Sequence, residues 1–332
     1  MTLIIAEAGV NHNGDVSIAH KLIDAAVNSG ADIVKFQTFK AKNLASKSAP
    51  KAQYQKLFTD ENESQQEMLE NLELSSENYF ELIKHCNDVG IEFLTSAFDL
   101  ESLSLIEKFN LKRIKIPSGE INNYPYLRWI GDMKLPIILS TGMAELWEIK
   151  NAIKVLGEFG TEKKDLTILH CTTDYPAPFM DINLNAIKTI SERFDINTGY
   201  SDHSKGIEVA IAAVALGAKI IEKHITLDNN MKGPDHQASL EPNIFSAMTK
   251  CIRNIEISLG DGLKKPSKNE IKNLVIVRKS LVAKKNIKKG DLFTEENLTT
   301  KRPGNGIDPM NWQKIIGTKS PADFNSDEVI YL

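Results

Sequence analysis

The sequence predicts a (β/α)8 barrel followed by a small β-rich domain. Short runs of β-branched residues recur along the chain, and each is followed by a longer amphipathic stretch. This alternation is the pattern of a parallel sheet with crossover helices. Eight such units lie between about residue 3 and about residue 260, close to the roughly 250 residues that are typical of a closed barrel. An open doubly wound sheet is the alternative architecture.

Each predicted strand is a short apolar run followed by a turn or helix signal. Helices such as "SIAHKLIDAAVNSG" and "GIEVAIAAVALGA" connect the strands, and "FSAMTKCIRNIEISLG" closes the barrel. We expect a barrel domain over residues 1–262, a polar, lysine-rich linker over residues 263–279 and the small domain over residues 280–332. The predicted strands are residues 3–9, 32–38, 91–97, 113–119, 136–142, 166–172, 196–202 and 219–225.

One connection is longer than the others. Residues 40–75 lie between "VKFQTF" and the predicted helix "SENYFELIKHCNDVG", and they are rich in lysine, serine and glutamine. Insertions of this kind on a barrel are usually functional loops or lids. We therefore expect a functional loop or a lid in this segment.

The composition excludes several classes of protein. With 332 residues, 42% hydrophobic and 25% charged, the chain has the balance of a soluble globular protein. A net charge of −4 without a long lysine or arginine block gives little support for nucleic-acid binding. The opening "MTLIIAEAGVNHNG" fits neither a signal peptide nor a membrane span, so we expect a cytoplasmic protein. Cys86, Cys171 and Cys251 are widely spaced, which favours buried thiols over disulfides or a zinc site.

Polar side chains stand at the ends of the predicted strands, where a barrel carries its active site. Each of them alone is more simply explained as a hydrogen-bonded core group or a solvated rim residue. Their presence on all eight strands indicates a functional site. They are Glu7, Lys35, Gln37, Thr95, Ser96, Lys115, Ser118, Glu120, Ser140, Thr141, Cys171, Thr172, Thr173, Tyr200, Ser201, Asp202, His203, Glu222, Lys223 and His224.

The lysines and histidines in this set indicate what the site binds. A buried ammonium loses its proton unless an anion lies beside it, so Lys35 and Lys115 predict a di- or trianionic ligand. The serine and threonine hydroxyls near them suit phosphate oxygens, which favours a phosphorylated carboxylate. His203 and His224 end adjacent strands and could share a divalent metal. A general base or a core histidine is the alternative for each.

Nine motifs carry a family resemblance: "AEAGVNHNG", "VKFQTF", "KIPSGE", "STGM", "CTTDYPAP", "GYSDHS", "EKHITLD", "GPDHQAS" and "KRPGNGI". They resemble the sialic acid synthase family, the nonulosonate synthases that make N-acetylneuraminate, legionaminate and pseudaminate. The last part of the chain resembles the antifreeze-like SAF domain of that family. The resemblance implies condensation of phosphoenolpyruvate with an open-chain 2-acetamido sugar, usually N-acetylmannosamine, and a divalent metal, Mn²⁺ or Mg²⁺.

The acceptor sugar has a second interpretation. "CTTDYPAPF" and "SDHSKGI" resemble legionaminate synthases at least as much as sialic acid synthases. That alternative implies 2,4-diacetamido-2,4,6-trideoxymannose, which differs from N-acetylmannosamine at C4 and C6. Sequence alone does not place the pocket side chains that would distinguish the two.

The resemblance also implies roles for individual residues. The metal would be held by His203 and His224, and Glu120 would handle protons or water beside the catalytic Glu7 and Lys115. Some sialic acid synthases have asparagine where this chain has Thr173, which weakens that one phosphate contact. Phosphoenolpyruvate would be held by Lys35, Ser96, Lys115, Ser118, Ser140, Thr173 and Ser201. The sugar would be held by Glu7, Tyr175, Asp235 and Arg302.

Two further expectations come from the resemblance. The reaction would cleave the C–O bond of phosphoenolpyruvate, not the P–O bond, and release phosphate. Arg302 would contact the acetamido group from the partner subunit of a domain-swapped homodimer.

Three other functions fit part of the pattern. A synthase with a phosphosugar acceptor would need an additional basic cluster, and a metal-dependent sugar isomerase on the same barrel is a second enzyme class. A carbohydrate-binding or ice-binding protein without catalysis is the third possibility. Such a binding module would not need charged residues on most of the strand ends.

Overall fold

The fold was analysed in a computed structural model, which describes residues 1–46, 49–51, 59 and 63–332. This part of the chain forms two compact units. Among its helices, none combines the length and the apolar character needed to cross a membrane.

The first unit, Met1–Gly260, is a closed barrel of eight parallel strands in chain order, which confirms the predicted fold class and excludes the open sheet. Its strands are β1 Leu3–Gly9, β2 Ile33–Thr38, β3 Glu92–Ala97, β4 Ile114–Ile116, β5 Ile137–Ser140, β6 Leu166–Cys171, β7 Asn197–Asp202 and β8 Ile220–His224. Its helices are α1 Val16–Asn28, α2 Ala41–Leu44, α3 Gln65–Glu70, α4 Ser76–Val89, α5 Leu100–Ile106, α6 Tyr124–Asp132, α7 Leu146–Glu158, α8 Asn185–Phe194, α9 Glu208–Ala215 and α10 Pro242–Leu259.

Local sequence signals set the ends of these elements. β4 ends earlier than predicted because Pro117 has no N–H to continue the ladder, and a 3₁₀ turn follows at Ser118–Glu120. Helix α4 begins at a capping box, in which the Ser75 and Asn78 side chains each accept a hydrogen bond from the other's backbone N–H. It ends at Gly90, whose φ of 79° is left-handed and therefore favours glycine.

The barrel interior has an apolar layer with a polar layer above it. Successive side chains of a strand point to opposite faces, so residues two apart share the interior. The apolar layer is Ile5, Ile33, Leu94, Ile138, Leu169 and Ile220. Two residues further along the same strands stand Glu7, Lys35, Ser96, Ser140, Cys171 and Glu222. Two residues along each of these strands, the side chains that point into the barrel thus change from apolar to polar or ionisable.

The insertion between β2 and α4 forms its own apolar cluster beside the strand ends. Helices α2 and α3 pack there with residues that follow β1, β2 and β3. The cluster, which we call the insertion cluster, is Val10, Phe39, Ala41, Ala45, Met68, Leu69 and Leu72, flanked by Leu44, Ala49 and Phe98. The predicted lid falls partly on residues 47–48, 52–58 and 60–62, which lie outside the described residues.

The second unit, Asp261–Leu332, contains a small antiparallel sheet. Residues 263–279, predicted as a linker, contain helix α11, and the carbonyl groups of Val275 and Val277 accept hydrogen bonds from Gly304 N and Arg302 Nε. This helix is therefore tied to the sheet of its own unit. The elements are α11 Lys268–Val277, β9 Ser280–Ala283, β10 Leu298–Lys301 and α12 Trp312–Ile315. The core residues are Leu281, Ala283, Ile287, Phe293, Leu298, Ile315, Phe324 and Ile330.

A fully buried ion pair joins the outer faces of β7 and β8. Lys223 Nζ lies 2.9 Å from Asp202 Oδ2, and neither side chain is exposed to solvent. The Ser204 backbone N–H and hydroxyl both donate to Asp202 Oδ1. The pair therefore satisfies two charges that the barrel wall has removed from water.

We predict that Lys223→Met lowers the free energy of unfolding of the barrel by about 3–5 kcal/mol, because it leaves the Asp202 carboxylate buried without a counter-charge. Denaturant unfolding would measure this loss. The double variant Asp202→Asn with Lys223→Met removes both charges and should be less destabilised than Lys223→Met alone. Equal stability of the single variant and the wild type would contradict the prediction.

Candidate functional site

A cavity of about 420 Å³ opens at the carboxyl ends of the barrel strands. We call it the strand-end cavity. Every residue of the predicted site lines it except Glu120 and Arg302. The residues it brings together are Glu7, Lys35, Ser96, Lys115, Ser118, Ser140, Thr173, Tyr175, Ser201, His203, His224 and Asp235.

Two lysines and two glutamates form a charge cluster on the floor of the cavity. Lys35 Nζ lies 2.8 Å from Glu7 Oε2 and 3.7 Å from Glu222 Oε2. Lys115 Nζ lies 3.8 Å from Glu222 Oε1, so the Glu222 carboxylate stands between both ammonium groups. All four side chains are buried. The protein itself therefore supplies the anions that the buried lysines need. For this reason the two lysines alone do not indicate an anionic ligand.

Burial and pairing shift the pKa values of this cluster in different directions. Burial raises the pKa of Glu7 to about 7, and Lys35 offsets only part of that effect. Burial also acts to raise the pKa of Glu222, but Lys115 and Lys35 outweigh it and lower that pKa. Glu222 is therefore the permanent counter-charge, and Glu7 is the carboxyl that can exchange a proton near neutral pH.

The two lysines also differ from each other. Burial acts to lower the pKa of Lys35, but Glu222 and Glu7 outweigh it and raise that pKa. For Lys115, which among the described residues has only Glu222 within ion-pair distance, burial prevails and the pKa is lowered. An incoming anion would therefore stabilise the protonated form of Lys115 in particular.

Hydroxyl groups surround the charge cluster. Lys115 Nζ donates to Ser140 Oγ at 2.7 Å, and Lys35 Nζ donates to Ser96 Oγ at 3.3 Å. Ser201 Oγ donates to Glu222 Oε1 at 3.0 Å. Each lysine thus has a hydroxyl neighbour that can turn to a phosphate or carboxylate oxygen.

The loop after β5 approaches these hydroxyls closely. The Gly142 N–H donates to Ser118 Oγ at 2.9 Å. A Cβ at Gly142 would lie 2.4 Å from Thr173 Cγ2 and 3.0 Å from Ser118 Oγ. Only glycine therefore lets this backbone reach the cavity wall formed by Ser118 and Thr173.

His203 and His224 lie side by side at the rim of the charge cluster, with ring centroids 5.6 Å apart. His203 Nδ1 lies 2.5 Å from the Thr172 carbonyl oxygen, so Nδ1 donates and Nε2 keeps its lone pair. The Tyr175 ring stacks over His203 at 4.1 Å. Burial lowers the pKa of His203 to about 4 and that of His224 well below its usual value. Both imidazoles are therefore neutral at physiological pH.

These two histidines fit a divalent metal with an incomplete protein shell. His224 Nδ1 is buried and has no hydrogen-bond partner among the described residues, and neutral imidazole nitrogens are ordinary ligands of such ions. In the described part of the chain, no three or more His, Cys, Asp or Glu side chains converge as a metal site. A metal held by His203 and His224 would keep its other positions for water and substrate.

The remaining predicted residues divide into two groups. Asp235 lies in the cavity, and burial raises its pKa to about 6 with Lys35 opposing. Glu120 is half-buried outside the cavity lining; it accepts a hydrogen bond from Asn123 Nδ2 at 2.5 Å and is no ion-pair partner of Lys115 among the described residues. Arg302 is exposed in the second unit, where its Nε donates to the Val277 carbonyl group.

Several cavity residues had no role in the predicted site. Glu222, Gln37 and Cys171 belong to the predicted set of strand-end side chains, but the family resemblance implies no role for them. The period-two repeat contains the missing signal, because Glu222 precedes His224 by two residues and must face the same side of β8. The apolar lining from the insertion carries no comparable chemical signal in the sequence. These residues are Leu44, Met68, Leu69 and Leu72.

Comparison with known proteins supplies independent information on the family. The model of the NeuB family matches residues 22–264, and the model of the SAF domain matches residues 278–332. The N,N'-diacetyllegionaminic acid synthase of Campylobacter jejuni is 54% identical, with 99% of this chain and 98% of that protein covered. The corresponding synthase of Legionella pneumophila is 46% identical, with 95% and 89% covered. Human N-acetylneuraminate-9-phosphate synthase is 34% identical, with 98% and 90% covered.

A solved structure agrees with these matches. The N-acetylneuraminic acid synthetase of Leptospira borgpetersenii, determined in complex with citrate, is 32% identical with a TM-score of 0.72. The alignment covers 82% of this chain and 90% of that chain. A truncated 3-deoxy-D-arabino-heptulosonate 7-phosphate synthase from Thermotoga maritima, at 16% identity and a TM-score of 0.59, shares the fold.

We predict that Glu222→Gln makes the protein depend on a bound anion for stability. The substitution leaves Lys115 without its counter-charge, which a carboxylate or phosphate of phosphoenolpyruvate can replace. Phosphoenolpyruvate should therefore raise the melting temperature of Glu222→Gln by more degrees than that of the wild type. The control is Glu92→Gln, which alters the partly exposed pair with Arg113 and should respond as the wild type does. An equal shift in Glu222→Gln and the wild type would contradict the prediction.

Proposed function

Because the chain belongs to the NeuB family and carries a SAF domain, we propose that it synthesises N,N'-diacetyllegionaminic acid from phosphoenolpyruvate and 2,4-diacetamido-2,4,6-trideoxymannose. The observation that carries the proposal is the strand-end cavity, in which a buried charge cluster, a set of hydroxyls and two neutral imidazoles meet. The identity of 54% and 46% to two N,N'-diacetyllegionaminic acid synthases supports this acceptor, and the lower identity of 34% to N-acetylneuraminate-9-phosphate synthase argues against a phosphorylated acceptor.

The charge cluster and its hydroxyls suit phosphoenolpyruvate. This substrate carries a phosphate and a carboxylate on a rigid enol carbon, and Lys35 and Lys115 provide two cations on different strands to receive them. The hydroxyls of Ser96, Ser118, Ser140, Thr173 and Ser201 also line the cavity and can donate to its oxygens. Held at both ends, phosphoenolpyruvate would present C3 in a fixed direction.

The proposed metal site lies beside the charge cluster. We propose that His203 and His224 hold Mn²⁺ or Mg²⁺ through their neutral ring nitrogens. When bound, the ion would act as a Lewis acid toward the aldehyde oxygen of the open-chain sugar. Tyr175 stacks on His203 and lines the cavity, so it would orient that imidazole and limit the position of the sugar.

The remaining chemistry requires proton transfer. C3 of phosphoenolpyruvate forms a bond to the aldehyde carbon, water adds at C2, and the C2–O bond to phosphate breaks. Glu7, with a pKa of about 7, can give a proton to the former aldehyde oxygen, which thereby becomes the new hydroxyl group. Glu120 is the proposed base toward water, and burial raises its pKa as that role requires. Asp235, with its raised pKa, would contact the sugar as a hydrogen-bond donor or acceptor.

The second unit completes the proposal. The SAF match includes Arg302, and by family resemblance we propose that its guanidinium contacts the acetamido group of the sugar in the partner subunit of a homodimer. Arginine suits this role because its fork of N–H groups matches a carbonyl or carboxylate oxygen. We propose a cytoplasmic location for the enzyme.

We predict that the protein releases phosphate from phosphoenolpyruvate only when an acetamido sugar and a divalent metal are present. Turnover should be faster with 2,4-diacetamido-2,4,6-trideoxymannose than with N-acetylmannosamine, and chelation should abolish it until Mn²⁺ is restored. With ¹⁸O in the C2–O–P bridge, the label should appear in phosphate, as C–O cleavage requires. If no phosphate is released with either sugar, the proposed function is refuted. If the label is retained in the sugar product, the mechanism is refuted.

We predict that two inactive variants, Glu7→Ala and Arg302→Ala, complement each other after subunit exchange. If Arg302 acts in the partner's cavity, each mixed dimer has one intact site, and an equal random mixture should recover about a quarter of wild-type activity. The control mixes Glu7→Ala with Lys35→Ala, whose lesions share one cavity and cannot be separated by exchange. Recovery in neither mixture would show that Arg302 acts within its own subunit or not at all.

A further inference from the structure

One side of the strand-end cavity is apolar, and the proposed chemistry makes no use of it. The insertion contributes most of this side, and residues after β1 and β3 complete it. We call it the apolar wall: Val10, Leu44, Met68, Leu69, Leu72 and Phe98.

The apolar wall belongs to the insertion cluster and not to the barrel core. Met68 and Leu69 of α3 line the cavity together with Leu72, which follows the end of the helix, and the polar Gln65 borders them at its start. A capping box between Ser64 and Glu67 fixes the start of α3. The Glu73 carboxylate accepts hydrogen bonds from Ala41 N and Lys40 Nζ, which ties the end of this segment to α2. The wall therefore has a defined position over the cavity.

The wall is also thin. Met68, Leu72 and Pro234 line a second cavity of about 660 Å³ as well, whose other residues include the polar Asn71 and Asn230. Apolar side chains thus separate the strand-end cavity from a polar space behind them. A substrate hydroxyl that meets this wall loses water without reaching the polar groups on the far side.

We propose that the apolar wall determines which acceptor sugar is used, by contacting the C6 methyl group and the methyl group of the second acetamido substituent. This proposal rests on the proposed function. The deoxy sugar carries these methyl groups at C6 and on the C4 substituent, whereas N-acetylmannosamine has hydroxyl groups at C4 and C6. A methyl group against Met68, Leu69 and Leu72 gains from burial, and a hydroxyl group left there without a partner is destabilised.

Substitutions that keep volume test this proposal. Met68→Gln and Leu72→Asn place an amide in the wall at nearly the same size, so the partition to the second cavity stays closed. Each should lower the ratio of kcat/KM for 2,4-diacetamido-2,4,6-trideoxymannose over N-acetylmannosamine by about tenfold. The conservative Met68→Leu should keep the wild-type ratio. Because two positions are substituted separately, the test can still be made if one variant does not fold.

The matched control is Phe39→Leu. Phe39 is buried in the insertion cluster but does not line the strand-end cavity. The substitution therefore weakens the packing behind the apolar wall but leaves the side chains that face the cavity unchanged. Both sugars should be affected equally, and the ratio should stay within about twofold of the wild type, the change expected when no sugar contact is altered. An unchanged ratio in Met68→Gln and Leu72→Asn, or an equal fall in Phe39→Leu, would overturn the role of the wall.

The wild-type measurement separates this proposal from the function on which it rests. A wild-type preference for 2,4-diacetamido-2,4,6-trideoxymannose that persists in Met68→Gln and Leu72→Asn would leave the proposed function standing and overturn selection by the wall alone. A higher wild-type kcat/KM for N-acetylmannosamine would overturn both the proposed acceptor and selection by the wall. Activity with neither sugar would overturn both proposals.

Discussion

The charge cluster of Glu7, Lys35, Lys115 and Glu222 is the constraint to which the rest of the barrel is fitted. Four ionisable side chains on β1, β2, β4 and β8 are buried, and each lies within ion-pair distance of at least one of the others. Charges removed from water are tolerated only while each has its partner, so the strands must hold their positions closely. The closed barrel does this, because β8 pairs with β1 and brings Glu222 between the two lysines. A phosphorylated anion can then bind where the protein has already arranged the cations.

Successive side chains of β8 point to opposite faces of the barrel wall, which explains how a strand rich in isoleucine carries three consecutive ionisable residues. Glu222 and His224 face the cavity, whereas Lys223 faces outward and pairs with Asp202 on β7. The same step on β7 places Ser201 and His203 inward and Asp202 outward. One ion pair outside the barrel thus lies directly behind the two histidines proposed to bind the metal. The positions of the two histidines and of Glu222 therefore depend on the same pair of strands.

Much of the fold and of the candidate site could be predicted from the sequence, and the features that could not be predicted have physical causes. The eight strands and the ring of Lys, Ser and His residues followed from local patterns, since apolar periodicity and strand-end polarity are properties of short segments. The role of Glu222 did not follow, because its two lysine partners come from distant strands. The pKa of Glu7 likewise depends on burial that no single segment contains. Met68 and Leu72 look like ordinary core residues, and only the fold shows that they line the cavity.

Two apolar regions adjoin the site: the apolar layer inside the barrel and the apolar wall of the insertion. Because they belong to different parts of the fold, the groups proposed for the chemistry and those proposed for substrate choice can change separately. The polar floor rises from the barrel strands, directly above the apolar layer that includes Ile5 and Ile33. A change in the floor alters the charge cluster and therefore the proposed binding site of phosphoenolpyruvate, the substrate that every acceptor would share. The apolar wall belongs to the insertion cluster, which packs on the strand ends without entering the barrel core. Its side chains can change in size or polarity while the four buried charges keep their partners, so specificity can vary on this side of the cavity without loss of the shared reaction.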